Sequence, residues 1–450
     1  MTQDTPTVAV VGAGLAGLAA TLALTRAGAR VELFERSRLL GGKATSFTVD
    51  GREVDNGQHV ILACCTEFLA FLEQVGMSDS LRMQSRFEVT VLSRTRPPAR
   101  LAAARLPSPL HLMPSFARYG HLSWPQKIRV SRALLAARRD PSPAGDMAAW
   151  LRSKRQSDAE RRAFWDPFLV PALNAPLEEV AASDGLFVIR TAFLSDRGAA
   201  RIGYSMVPLA RVAEAAAARA QALHVRTPVT RLERNGSRAV ALHTETAARR
   251  EYDGFVLAVP PRRLAMIGSE SGGIGVDGLD AFHNQPIVDV HLWYARADSR
   301  SLLGNAGFAA LIDSPVQWVF EKAPGYLCCS LSAAATTITR PERELVELCS
   351  AELTSVLPAL RGASLIQGAA TRDPEATFVP TPGLQRPGPA TALDNVAIAG
   401  AWTDTGWPAT MESAVRSGNA AAAHLLPRLA RTGAQPAETL AAQPELAGAV

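Results

Sequence analysis

An α/β fold, with a discontinuous Rossmann-like domain and a second α+β domain, is predicted by three observations. A strand, a glycine cluster and a helix follow one another directly at the N-terminus. Strands alternate with turns from Ala222 to Ile267, and one of them reads as a return to the N-terminal sheet. A short apolar strand, a glycine and a helix then recur between Asn395 and Ala423. With 450 residues, 47% hydrophobic and 20% charged, the chain is long enough for two or three lobes and apolar enough to fill their cores.

Thr7 to Val11, TVAVV, has the unbroken β-branched character of a strand buried on both faces. Gly12-Ala13-Gly14-Leu15-Ala16-Gly17 follows, then an alanine-rich helix to about Ala27 and a second strand, Arg30 to Phe34. In such a unit the first glycine makes the tight turn, the second lets backbone approach a pyrophosphate, and the third lets helix and strand pack closely. The helix N-terminus offers free N–H groups to phosphate, and Glu35 stands where a carboxylate can accept from ribose hydroxyls. The uncharged run from Thr5 to Thr25 is therefore expected to be strand, turn and helix rather than a leader peptide or a membrane span. Five cysteines, Cys64, Cys65, Cys328, Cys329 and Cys349, show no CxxC or metal-ligand spacing, so reduced thiols and no metal site are expected.

The segment Arg94 to Arg139 holds ten Lys or Arg and no Asp or Glu. It also carries Phe116, Tyr119, Trp124 and the apolar stretch Leu110 to Met113. Basic residues mixed with interfacial aromatics suit a surface resting on anionic lipid. No nucleic-acid motif accompanies the charge, and the net charge of +5 decides little alone. From Asp146 to Leu209 the pattern is helical, with Asp146 as an N-cap. Asn235-Gly236 marks a hairpin, and Pro261 opens a helix. The divisions expected are 1–88, 210–275 and 386–430 for the nucleotide-binding domain, 89–209 for a basic helical section and 276–385 for the second domain's sheet. A disordered tail is expected over 431–450, which is rich in Ala, Pro, Gly and Gln.

Glu35-Arg36-Ser37-Arg38-Leu39-Leu40-Gly41-Gly42-Lys43-Ala44 resembles the segment after the second strand of amine oxidases and carotenoid desaturases, which implies FAD. Lys43 stands where that superfamily usually has Arg, keeping the charge but losing the planar fork. Further along stand Val54-Asp55-Asn56-Gly57-Gln58-His59-Val60, Phe164-Trp165-Asp166-Pro167, Ala172-Leu173-Asn174 and Met206-Val207-Pro208-Leu209. Val290 to Tyr294, Gln317 to Phe320 and Ala399 to Glu412 follow. Through these segments the chain resembles, over nearly its whole length, the squalene-associated FAD-dependent desaturases, or hydroxysqualene dehydroxylases, of bacterial hopanoid biosynthesis, with Ala401 departing from the Asp common in relatives.

The resemblance implies an enzyme with an amine oxidase/phytoene desaturase-like fold. It would remove the hydroxyl of hydroxysqualene, using reduced FAD, to give squalene and water. FAD is expected against Gly12, Gly14, Leu15, Ala16, Gly17, Glu35, Arg36, Gly41, Gly42 and Lys43. Further contacts are expected from Gly57, Gln58, His59, Val229, Gly400, Trp407, Pro408 and Met411. A helix N-terminus near Pro408 would stabilise negative charge on the reduced ring. The reaction needs an acid near the hydroxyl, and the candidates are His59, then Asp404 if buried, with Gln58 beside them and Asp166 and Asp55 behind. Trp165, Trp293, Trp318 and Trp402 are expected along the substrate path, with Trp407 close by.

Two alternatives remain open on the sequence: a carotenoid-type polyprenoid desaturase, in which electrons flow the other way, and a flavin-free prenyl-lipid carrier on the same fold. The glycine-rich stretch Gly268 to Gly275 follows a helix rather than a strand, so it is no second dinucleotide fingerprint. NAD(P)H, if it is the reductant, must bind transiently or act through a redox partner. The expected location is the cytoplasm, peripheral on the inner face of the cell membrane.

Overall fold

The computed structural model describes residues 5–140, 144–246, 248–295 and 301–430. The stretch 431–450, expected as a tail, lies outside the described residues.

Five parallel strands form the sheet of the first lobe, in the order Ala222–His224, Arg30–Phe34, Thr7–Val11, Gly254–Leu257 and Val396–Ile398. They come from the N-terminus, the middle and the C-terminal part of the chain, so this lobe is discontinuous. Thr7–Val11 lies at its centre, and Val8, Ala9 and Val10 are wholly buried. Helix Leu15–Arg26 packs on one face, backed by the terminal helix Met411–Ala430. The antiparallel ribbon Val229–Asn235, Arg238–Thr244 and Arg249–Glu251 and the helix Pro261–Glu270 cover the other.

The turn between first strand and first helix is tight because Gly12 has φ +104°, a region closed to most L-residues, and its N–H bonds the Phe34 carbonyl at 2.7 Å. A Cβ at position 17 would fall 1.9 Å from the Gly12 carbonyl oxygen, and one at position 418 would fall 2.1 Å from that of Ala16. The first helix is thus gripped between the sheet and the terminal helix at backbone contact.

The second lobe is built on a seven-stranded sheet, in the order Leu365–Phe378, Asn284–Tyr294, Tyr326–Leu331, Trp318–Ala323, Phe308–Leu311, Glu88–Leu92 and Ala99–Ala102. One face packs on helices of the 113–194 region, and helix Glu342–Val356 covers the other. The section 89–209 is mainly helical but contributes strands as well. Ala99–Ala102 is one, its Arg100 exposed between buried Ala99 and Leu101. Ile202–Ser205 is another, pairing with Val60–Leu62 and Leu81–Met83. These stretches of three to five residues are too short for their alternation to stand out. Asp146 does cap its helix, its Oδ1 accepting the Ala149 N–H at 2.6 Å. Among the described residues no helix is long and apolar enough to cross a membrane.

Replacing Gly418 with Ala should drive the two helices apart and cost about 1–3 kcal/mol or more, as overpacked sites do. A thermal melt should show a midpoint lowered by several degrees; an unchanged midpoint would mean the helices part freely.

Candidate active site

At the carboxyl end of the parallel sheet the chain forms a cradle of bare backbone. Glu35 ends the second strand, buried; its two carboxylate oxygens accept the N–H groups of Ala13 and Ser37, each at 2.8 Å. The Gly41 N–H donates to the Ala13 carbonyl at 2.8 Å, and a Cβ at position 42 would stand 3.1 Å from the Gly14 Cα. Leu15 and Ala16, both buried, open a helix whose N-cap, Gly14, has no side chain to take its first N–H groups. Val229 is buried in the same apolar cluster as Val11 and Phe34, and Arg36 is exposed. The fit to a dinucleotide is physical. Side chains would fill the cradle, uncapped N–H groups and the helix dipole face it, and the glutamate beside it keeps acceptor capacity for hydroxyls.

From the cradle a cavity with about 1740 Å³ of empty space, part of it open to solvent, runs between the two lobes. Lys43, Gly57, Gln58, His59, Trp407, Pro408 and Met411 line it at the nucleotide end. Phe87, Phe168, Phe193, Trp318 and Phe320 line it beyond. The Arg386 guanidinium fixes the turn 401–407 by donating to the carbonyls of Ala401 at 2.9 Å, Trp402 at 3.3 Å, Trp407 at 2.7 Å and Thr403. The Gly400 N–H donates to Ser417 Oγ at 2.9 Å, joining this turn to the terminal helix. Glu412, almost fully buried, accepts the first-turn N–H groups of Glu67 and Phe68 at 3.1 and 2.8 Å and pairs with Arg416 at 2.7 Å.

Two titratable groups line the polar end. His59 Nδ1–H donates to the Gly57 carbonyl at 3.1 Å, so in the neutral ring Nε2 is an acceptor. Burial pushes its pKa below the ordinary histidine value, against the opposing pull of Asp55. Asp289, 1% exposed, accepts the Gln58 N–H at 3.2 Å, and burial pushes its carboxyl up to about 6. Below them Lys322 Nζ bonds Asp55 Oδ2 at 3.4 Å and the Ser205 carbonyl at 3.0 Å.

The remaining candidates are scattered. Asp404 is exposed and caps its own turn through the Gly406 N–H at 3.2 Å, outside the cavity wall. Trp165 and Trp402 are core residues whose indole N–H groups serve Gln156 Oε1 and the Val259 carbonyl, each at 3.0 Å. Trp293 stacks on Tyr326 at 4.7 Å under the Arg52 guanidinium, also away from the cavity wall. Of the four tryptophans expected along the substrate path, Trp318 alone is in the wall. Asp166 lies near Arg161 at 3.7 Å, and Asp55 ties down Ser46, the Leu209 N–H and Lys322. Sequence reasoning missed Asp289, Arg386 and the Phe168–Phe193 pair. The signal for the first is present: one acid in the strand stretch IVDVHLWY, which is apolar but for it and His291.

Replacing Glu35 with Ala frees the N–H groups of Ala13 and Ser37 and removes the acceptor beside the cradle. Purified protein should then carry severalfold less flavin by absorbance at 450 nm; full flavin content would refute the role of Glu35.

The flavin containing amine oxidoreductase family matches residues 15–426. The hydroxysqualene dehydroxylase of Rhodopseudomonas palustris is 29% identical over 434 residues, spanning 92% of this chain and 97% of that protein. The 15-cis-phytoene desaturase of Synechococcus elongatus is 23% identical, spanning 94% and 96%. Among solved structures, putrescine oxidase bound to putrescine aligns with a TM-score of 0.69 at 17% identity, over 94% of this chain and 99% of that one. That likeness is one of fold. The chain belongs to the flavin-containing amine oxidoreductases and is an FAD-dependent oxidoreductase.

Proposed function

We propose that this protein reductively removes the hydroxyl of hydroxysqualene, giving squalene and water, and that it draws its substrate from an anionic membrane. The observation that carries the reading is the composition of the cavity wall: hydrogen-bonding groups at the nucleotide end and aromatic rings along the rest. The chain's likeness to hydroxysqualene dehydroxylases over its length supports it. Bound FAD, once reduced, supplies the hydride equivalent. The glycine cradle and Glu35 hold it, and Gln58 and His59 present a hydrogen-bond surface to the hydroxyl. Phe168, Phe193 and Trp318 keep the cavity dry and offer their faces to an allylic cation, which water would otherwise capture.

The membrane reading rests on one helix and the loop before it. Trp124, Ile128 and Leu135 are 65%, 51% and 57% exposed and share a face of helix Trp124–Arg139. Leu110 and Met113 are exposed nearby, as are Arg105, Arg118, Arg132, Arg138 and Arg139. Phe116 and Tyr119 face the core, so Trp124 is the interfacial aromatic of the segment. Arg94, Arg100 and Arg129 pair with Glu352, Glu88 and Glu160. Apolar side chains ringed by arginine suit an anionic bilayer. Both elements also touch the π-helical turn Ile189–Leu194: Ser108 Oγ donates to the Leu194 carbonyl, and Arg190 Nε to that of Ala137. Thr191, Ala192 and Phe193 of this turn line the cavity.

Under anaerobic conditions, hydroxysqualene added to the chemically reduced protein should restore absorbance at 450 nm and yield squalene. Bleaching of the oxidised protein by a polyprene, with no such restoration, would favour a desaturase instead. Changing Trp124, Ile128 and Leu135 together to Ser should weaken binding to anionic vesicles at least tenfold and leave activity in detergent intact. Equal vesicle binding would end the docking proposal.

A further inference from the structure

We infer that Asp289 is the proton donor to the departing hydroxyl, an assignment that rests on the dehydroxylation reading above. Three carboxylates line the cavity among the described residues: Asp289, Asp373 and Glu412. Glu412 is already engaged by Arg416 and by two backbone N–H groups. Asp373 faces Lys43 at 4.0 Å and accepts the Glu375 N–H at 3.0 Å. Asp289 has no salt bridge among the described residues. Its hydrogen-bond partners are the Gln58 N–H at 3.2 Å and, at 3.9 Å, the Cys328 thiol, and the Ser330 hydroxyl stands opposite it in the sheet.

Its position is enforced. Asp289 sits opposite Ser330 and Thr371 in the sheet, and all three side chains line the cavity. Against it lies Gly57, at φ +93°, where a Cβ would stand 2.9 Å from Asp289 Oδ2. A side chain at position 57 would displace the carboxyl, so glycine there gives the acid its place beside Gln58 and His59. The surrounding titratable and charged groups are Asp55 and His59 from the segment that carries Gly57, and His291 on its own strand. Tyr326, Cys328 and Lys322 come from the strands on one side, and Asp373 from the other. Burial, reinforced by Asp55, favours the neutral acid, whereas the three donors favour the carboxylate.

His59 is placed for the complementary task. With Nδ1–H committed to Gly57 and its pKa lowered, its Nε2 receives the substrate hydroxyl proton in a hydrogen bond and orients the oxygen. In the step itself the Asp289 proton passes to that oxygen as the C–O bond breaks. Water leaves, Asp289 becomes a carboxylate, and the allylic carbon bears the positive charge. Bound FAD, when reduced, would supply the hydride that this carbon needs, and a solvent proton restores the acid.

The test mixes pre-reduced protein with hydroxysqualene anaerobically and follows flavin reoxidation in one turnover as a function of pH. Flavin content and the spectral shift of the oxidised protein on substrate binding are measured alongside. In the wild type the rate should fall as pH rises through about 6, because only the protonated acid acts. D289N should lose about 100-fold or more in rate, the scale of general acid catalysis, and lose that pH step, with flavin content and the binding shift unchanged. H59N should keep the step. A wild-type rate flat between about pH 5 and 8 overturns the assignment without any variant, as does a D289N protein at wild-type rate. If hydroxysqualene does not reoxidise the wild type at all, the dehydroxylation reading fails and takes the assignment with it.

Discussion

The carbonyl oxygen of Gly12 occupies the space that a Cβ at position 17 would need, and the first lobe is assembled around that contact. It brings the first helix hard against the central strand and aims its N-terminus at the cradle. The terminal helix presses on the other side at Gly418, so a segment some four hundred residues away completes the same three-layer stack. Since interiors pack at crystal-like density, neither contact can relax by more than a few tenths of an ångström without opening a gap elsewhere. The cavity wall inherits this rigidity, because Pro408, Met411 and Glu412 belong to the terminal helix or its entry.

The lobes meet through polar groups that each do more than one thing. Asp55 accepts from Ser46 and from the Leu209 N–H, and receives Lys322 from the other lobe. Within the first lobe Glu412, in the terminal helix's first turn, starts helix Thr66–Gln74 and carries Arg416. A buried ion pair of this kind adds little net stability over an apolar one, since desolvation offsets its attraction. It does penalise every arrangement in which one partner loses the other. The lobes therefore register in one way, and that register puts residues 57–59 over Asp289.

Legibility in the sequence follows distance along the chain. The strand, glycines, helix and Glu35 lie within thirty residues and obey local rules, so the dinucleotide cradle can be read directly, and the resemblance then implies FAD. The resemblance carries the rest of the fold. Asp289 is 231 residues from Gln58, and nothing local says which face of its strand meets which turn. Arg386 has meaning only once its carbonyl acceptors, 15–21 residues on, are folded round it. The tryptophans are indistinguishable by type: Trp165 and Trp402 satisfy their N–H groups in the core, and Trp318 reaches the cavity, because packing rather than hydrophobicity separates the cases. In the basic segment the sequence does not say that Phe116 and Tyr119 turn inward while Trp124 turns out.

One environment acts on two unlike groups at the polar end of the cavity, and with opposite signs. Burial disfavours charge of either kind, so it raises the carboxyl of Asp289 and lowers the imidazole of His59. Both are drawn toward neutrality: the carboxyl keeps its proton up to about pH 6, well above an ordinary aspartate, and the imidazole gives its proton up more readily than an ordinary histidine. A neutral acid beside a neutral base is the pairing that suits an uncharged alcohol, which needs one donor and one acceptor at the same oxygen. With Asp289 protonated it also leaves the apolar cavity without a charge at that point until the carbon–oxygen bond breaks. The new carboxylate then faces the new cation in a medium of low dielectric, where their attraction is strongest.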